Sequence, residues 1–314
     1  MITRRDFVKS GAAAIAGAGA LTAGQAAVLR PGALAAAPAP ASKGGRSLRK
    51  AVMIGMCQDG ATLKDKFKIL RDAGFEGVEL DSPGPLKADE VRAACEATGI
   101  VAHGVVDSKH WSIPLNASDA AARAQGVEHL KTAIRDARDW GASSVLLVPC
   151  IVNKDLPYDG AWELSTAGIR EALPTAEECK VRIAIENVWN NFIMSPMEAV
   201  AYVDQFKSPW VKWHLDLGNL EPYGWGEQWV RILGPRVWKL HIKEYSREKL
   251  DKEGRWKGFV DLLDGTNNWA GVMKALDQTG YSAGESRWAT AEVGGGDAAR
   301  MKAISEKMDR IFAM

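Results

Sequence analysis

From about residue 50 to its end the chain alternates between short β-branched runs and longer amphipathic runs, and this alternation most constrains the fold. Residues 51–56, 77–80, 101–106, 144–150, 182–188, 211–217, 237–243 and 289–293 read as strands, rich in Val, Ile and Leu. The segments between them carry apolar residues at helical spacing, and three of these helices stop at Gly74, Gly99 and Gly141. Residues 244–268, after the seventh strand, read as a long polar loop, and a longer loop after the third strand carries Asp107, His110 and Trp111. Strands that alternate with helices pair in parallel. Eight such units predict an α/β protein with a (β/α)8 barrel, the TIM-barrel architecture, over residues 51–314. A doubly wound open sheet is the competitor, but no G-x-G-x-x-G follows the first strand.

In a parallel barrel the working groups sit at the C-terminal ends of the strands. Four consecutive strands here end in a metal-ligating type. Arg182-Ile183-Ala184-Ile185-Glu186 ends in a carboxylate, as do Trp213-His214-Leu215-Asp216 and Ala289-Thr290-Ala291-Glu292; Val237-Trp238-Lys239-Leu240-His241 ends in an imidazole. An ionised Glu at the end of an apolar strand is costly to bury unless it is paired or holds a metal. Three carboxylates and one imidazole suit a hard divalent cation. Manganese is the favoured ion, with magnesium, cobalt or zinc compatible.

The first 35 residues are set apart. Arg4-Arg5 opens a twin-arginine pattern, an Ala/Gly-rich run follows to about Leu29, and Ala33-Leu34-Ala35 is an A-x-A cleavage pattern. The expectation is a twin-arginine signal peptide over residues 1–35, a disordered Pro/Ala/Gly/Ser-rich leader over 36–50, and a periplasmic mature protein without stable membrane insertion. Removing Arg4, Arg5, Lys9 and Arg30 together with Asp6 takes the net charge from +1 to about −2, which gives no support for nucleic-acid binding. Cys57, Cys95, Cys150 and Cys179 show no C-x-x-C spacing, so a zinc cluster or redox pair is not expected.

The text around the four ligands carries a resemblance. Ile185-Glu186-Asn187-Val188-Trp189, Leu215-Asp216-Leu217-Gly218-Asn219, His241-Ile242-Lys243-Glu244 with Arg247, Asp261-Leu262-Leu263-Asp264-Gly265 and Ala291-Glu292-Val293 resemble the sugar-phosphate isomerase/epimerase superfamily of xylose-isomerase-like barrels. Within it they are similar to the ketose 3-epimerases and the hexulose-phosphate isomerase-like proteins. The resemblance implies that Glu186 and Glu292 are both metal ligands and the catalytic acid/base pair, with Asp216 and His241 as ligands only. It implies proton abstraction next to a ketose carbonyl, through an enediolate stabilised by the metal. Arg247 stands where the 3-epimerases carry a substrate-contacting Arg. Asn219 stands where they carry a substrate-binding His, a departure that bears on which sugar is taken.

Lys243, His103, Trp111 and Trp189 complete the candidate substrate-binding set. Lys243 reaches substrate or pairs with Glu244 or Glu221, and His103 either faces the barrel mouth or is a satisfied core His. Trp111 and Trp189 sit beside top-face loops, where indole faces suit sugar C–H groups. The Gly294-Gly295-Gly296 triplet either offers backbone N–H groups to an anion or simply ends its strand. Partners are therefore a small-molecule sugar or glycoside, with a homo-oligomer open. Three other readings stand beside the epimerase. A 3-keto-glycoside lyase or hydrolase would use the same metal and Glu pair. A phosphodiesterase would need about three metal ions and many His ligands. A non-catalytic sugar-binding barrel would not need both Glu residues.

Overall fold

The computed structural model describes residues 46–314. The expected signal segment and most of the expected leader lie outside the described residues. Eight parallel strands close a barrel: β1 (Arg49–Met53), β2 (Gly77–Ser82), β3 (Val101–Asp107), β4 (Ser144–Leu147), β5 (Arg182–Glu186), β6 (Val211–Asp216), β7 (Val237–Ile242) and β10 (Trp288–Ala291), with β10 pairing back onto β1. Helices α1 (Leu63–Asp72), α2 (Ala88–Thr98), α3 (Ala120–Trp140), α4 (Tyr158–Cys179), α5 (Pro196–Asp204), a short α6 (Leu217–Leu220) and α7 (Gly226–Leu233) fill the connections as far as β7. After β7 come α8 (Arg247–Glu253), α9 (Trp269–Gln278) and, after β10, α10 (Ala298–Phe312). The caps are those the sequence offers. Thr62 and Ser195 each close a capping box, with Asp65 and Glu198 respectively. Gly99 and Gly141 take the left-handed C-cap conformation.

Three stretches differ from the sequence reading. The first strand begins at Arg49 and ends at Met53, and residues 54–56 turn into a 3-10 helix. Upstream of it, Arg46 is held by Asp277 and by the C-terminal backbone at Met314, so residues 46–50 are structured. The segment 244–268 is no featureless loop: β8 (Glu244–Tyr245) and β9 (Phe259–Val260) pair antiparallel, with α8 carried between them. Ser246 caps α8, its hydroxyl accepting from the Lys249 N–H. Two-residue strands are too short to leave a readable alternation.

Strand periodicity sorts the barrel into an apolar outer layer and a polar interior. Ile183, Ile185, Leu215, Leu240 and Ile242 are fully buried against the helices. The intervening positions, among them Glu79, His103, His214, Lys239, His241 and Thr290, are also buried and hydrogen-bond or stack across the interior. Two bulges sharpen this. The β2–β3 ladder skips His103, and the β6–β7 ladder skips Trp238. The first bulge leaves both His103 and Gly104 toward the interior. A Cβ at Gly104 would lie 3.1 Å from Glu79 Cγ, so the missing side chain makes room for that carboxylate. All four cysteines are free thiols.

Candidate metal centre

The four predicted ligands converge. Glu186 ends β5, Asp216 ends β6, His241 lies near the end of β7 and Glu292 follows β10. One ligand atom from each falls within 4.8 Å of the others. His241 Nδ1 is the hub, 3.0 Å from Glu186 Oε1, 2.9 Å from Glu292 Oε2 and 3.7 Å from Asp216 Oδ2. Glu186, Asp216 and His241 are buried and Glu292 is partly open to the mouth.

Asp216 shows why this set is more than a cluster of acids. Its Oδ1 accepts from the N–H groups of Gly218 and Asn219, capping the short helix α6. Its Oδ2 is buried and has no hydrogen-bond partner. A carboxylate oxygen in that state is costly, and a cation between the four groups would satisfy it. The donors fit an oxygen-preferring divalent ion. Asn187 fixes the geometry by joining β5 to β6: its Nδ2 donates to the Asp216 carbonyl, and its Oδ1 accepts from the Asp216 N–H and from Trp213 Nε1.

Below the ligands lies support that the sequence reading missed. Glu79 on β2 is buried; its Oε2 is 3.0 Å from His241 Nε2, and its Oε1 accepts from Thr290 Oγ1 at 2.9 Å. With Nε2 committed to Glu79, Nδ1 is the ring nitrogen facing the three carboxylates. The His214 ring lies 4.1 Å from His241. The signal for both was present. His214 precedes Asp216 by two positions and so shares its face, and Glu79 is a carboxylate inside an apolar strand.

Electrostatics follow from this crowding. Burial opposes a charge on His241, but the carboxylates of Glu79 and Glu292 hold its imidazole protonated well above the usual range. Burial likewise opposes the charge on Glu292, yet the His241 and Lys243 cations keep its carboxyl well below the ordinary value. Glu186 is pushed upward, by burial first, with Glu292 and Asp216 adding to it against the pull of His241.

The remaining candidates divide. Lys243 sits at the site, 3.0 Å from Glu292 Oε1 and 3.5 Å from Asp216 Oδ2, rather than on Glu244 or Glu221. Asn219, Trp111 and Trp189 line a cavity of about 290 Å³ that also reaches Glu186, Lys243 and Glu292. Asn219 Nδ2 donates to the Asn187 carbonyl, and Trp189 Nε1 donates to the Asn219 carbonyl. His103 does not reach this cavity. It stacks on Trp288 at 4.4 Å and meets Thr290 Oγ1 at 3.1 Å inside the barrel, while its Nδ1 is buried without a hydrogen-bond partner. Arg247 also points elsewhere: its Nε donates to Glu221 at 2.9 Å and its Nη2 to the Gly224 carbonyl, tying α8 to the loop before α7. The glycine triplet packs on the first strand's exit. Gly296 N–H donates to the Met56 carbonyl, and a Cβ at Gly295 would lie 2.3 Å from that oxygen.

Comparison with known proteins agrees with this architecture. The chain is 26% identical over 211 residues to L-ribulose-5-phosphate 3-epimerase UlaE of Escherichia coli O1:K1 / APEC, covering 63% of this chain and 74% of that one. Among solved structures, an L-ribulose 3-epimerase superposes with a TM-score of 0.69 at 17% identity, covering 85% of this chain and 95% of that one. The IOLI protein, solved with a bound zinc atom, superposes with a TM-score of 0.68 at 14% identity, covering 85% and 98%. The sequence pattern of the family described as "Xylose isomerase-like TIM barrel" matches residues 67–312. The chain belongs to the xylose isomerase-like TIM barrel family.

Proposed function

We propose that this protein is a divalent-metal-dependent sugar epimerase or isomerase that moves a proton at the carbon next to a ketose carbonyl. The observation that carries the reading is the convergence of Glu186, Asp216, His241 and Glu292, with a buried Asp216 Oδ2 that accepts no hydrogen bond. The relatives, which are named as ketose epimerases, support the same chemistry. Glu186, Asp216, His241 and Glu292 would hold the ion, with manganese our first choice. When bound, it supplies Lewis-acid polarisation of the substrate carbonyl and charge stabilisation for the carbanion.

The chain's own residues then divide the work. Glu186 reaches the centre from the end of β5 and Glu292 from just after β10, with β6 and β7 between those two strands. One removes the proton next to the carbonyl, and the other returns a proton to the opposite face of the same carbon. Because the reverse reaction starts from the other epimer, each Glu is the base in one direction and the acid in the other. Lys243 keeps Glu292 in place and offsets its charge. Asn219 stands at the cavity wall as a hydroxyl partner. Arg247 would reach substrate only after leaving Glu221, and His103 would act from inside the barrel. We further propose export by the twin-arginine route, which favours a sugar without a phosphate group.

The test is exchange in D₂O. Manganese-loaded protein incubated with free ketoses and followed by NMR is expected to place deuterium next to the carbonyl as a new epimer appears. Glu186→Gln and Glu292→Gln should each lower that rate by about 10²–10⁴-fold. Exchange at wild-type rate in both variants would rule the Glu pair out as the acid/base groups.

A further inference from the structure

Two cavities meet at the candidate centre, and they do not reach the same carboxylates. The cavity of about 290 Å³ touches both Glu186 and Glu292. An adjoining cavity of about 430 Å³ touches Glu292 and not Glu186. Glu292, Lys243 and Phe259 line both, so the Glu292 side chain stands in the partition between them. Exposure follows the same division: the Glu292 side chain is 30% exposed and that of Glu186 7%.

The larger cavity suits water. Its walls include Glu244, Asp261 and Arg300, and it has room for several water molecules with polar partners. Its rim is fixed. Arg300 donates through Nη1 and Nη2 to Asp261 and through Nε to the Gly294 carbonyl, and Lys307 donates to the same Asp261. A Cβ at Gly294 would meet no heavy atom within 4 Å, so the wall there faces open space. Of these two cavities Glu186 lines only the smaller, and a substrate seated there covers it. Glu292 keeps its other side on the larger one.

We propose that the larger cavity is a water port serving Glu292 and not Glu186, so that the two acid/base carboxyls exchange protons with solvent unequally during turnover. This rests on the epimerase reading for the proton chemistry and on the two cavities for the asymmetry. When Glu186 takes the proton, the C–H bond breaks and its electron pair moves toward the adjacent carbonyl oxygen. The proton then stays in the covered carboxyl until it returns to the carbon or the cavity empties. When Glu292 takes it, water in the port replaces that proton before it can return. In either direction the opposite carboxyl supplies the proton that completes the product, so one proton leaves the carbon and one arrives.

Two measurements test the port, one of them without turnover. In metal-free protein, Glu292→Cys and Glu186→Cys each place a thiol at one end of the pair, and wild-type labelling corrects for the four native thiols. Iodoacetamide is expected to label Glu292→Cys about tenfold faster than Glu186→Cys, and adding Gly294→Leu, which fills the port, should bring the two within about threefold. Equal rates, or a Glu292→Cys rate that Gly294→Leu leaves unchanged, would overturn the port. During turnover in D₂O, deuterium entering the unreacted ketose is followed by NMR relative to conversion, starting from each epimer in turn. That ratio should be about tenfold higher from one epimer, the one whose C–H faces Glu292, and Gly294→Leu should lower the contrast to about threefold or less. Equal entry from both epimers, or a contrast indifferent to Gly294→Leu, would also overturn it. No conversion and no exchange with any ketose would remove the epimerase reading, while the thiol rates still decide whether the port exists.

Discussion

Glu79 does at the scale of one residue what the four ligands cannot do for themselves. It fixes which nitrogen of His241 faces the centre, through a 3.0 Å contact to Nε2. Glu79→Gln keeps the shape and loses the charge. It is expected to weaken manganese binding by about 10–100-fold, measured by calorimetry on the metal-free protein, with little change in the far-UV spectrum. Unchanged affinity would show that ring orientation is set elsewhere. Asp107, at the end of β3, carries a pH signature. Burial raises its carboxyl to about 6. Between the ordinary carboxylate range and pH 6 the unfolded chain has released this proton and the folded chain has not, so the group favours folding less as pH rises. Asp107→Asn should remove that part of the stability loss between about pH 4 and 6, read by urea titration. The four candidate ligands were legible in the sequence because each lies at or next to the end of a strand. Glu79 was not singled out because it lies inside one, and the bulge at His103 that accommodates it leaves no mark in composition or period.

At the scale of elements, the segment between β7 and α9 departs most from its sequence reading. Eight strands and their helices were legible because each carries enough residues to show a period. The β8–β9 hairpin is held instead by single polar contacts. Glu244 accepts from Trp269 Nε1 and from the N–H groups of Leu263 and Asn267. Asp261, directly after β9, binds Arg300 through both oxygens and also Lys307. The Arg300 guanidinium, with Lys307, holds the Asp261 carboxyl well below the usual range. A depressed folded-state value contributes stability above the unfolded pKa, and this is lost as pH falls. Asp261→Asn should therefore cost about 1–2 kcal/mol near neutrality, and the gap to wild type should close as pH falls below about 4. Thermal unfolding across that range checks it; a gap independent of pH would mean the effect is packing rather than charge.

At the scale of the whole molecule, the candidate centre is a clasp on the barrel. Its ligands come from β5, β6, β7 and the end of β10, half of the closed sheet. An ion bound only by the folded state stabilises it by about 2.7 kcal/mol at one hundred times its dissociation constant. Adding manganese to chelator-stripped protein should raise the melting temperature by about 5–10 °C, and EDTA should reverse it. Asp216→Asn, which keeps the α6 cap acceptor, should blunt the shift.

The 244–268 excursion leaves the rim beside Lys243 and returns to it at α9, with Glu244 bound across its base to Leu263, Asn267 and Trp269. One carboxylate thus closes the segment on itself like a knot in a loop of cord. The residues by which it lines the cavity of about 290 Å³, Trp256 and Phe259, are aromatic, and the four candidate ligands all lie outside it. The cavity wall and the ligand set can therefore vary independently of one another. The segment could be transplanted between barrels of this kind as a cassette, changing one wall of the cavity while the strand-end carboxylates stay where they are.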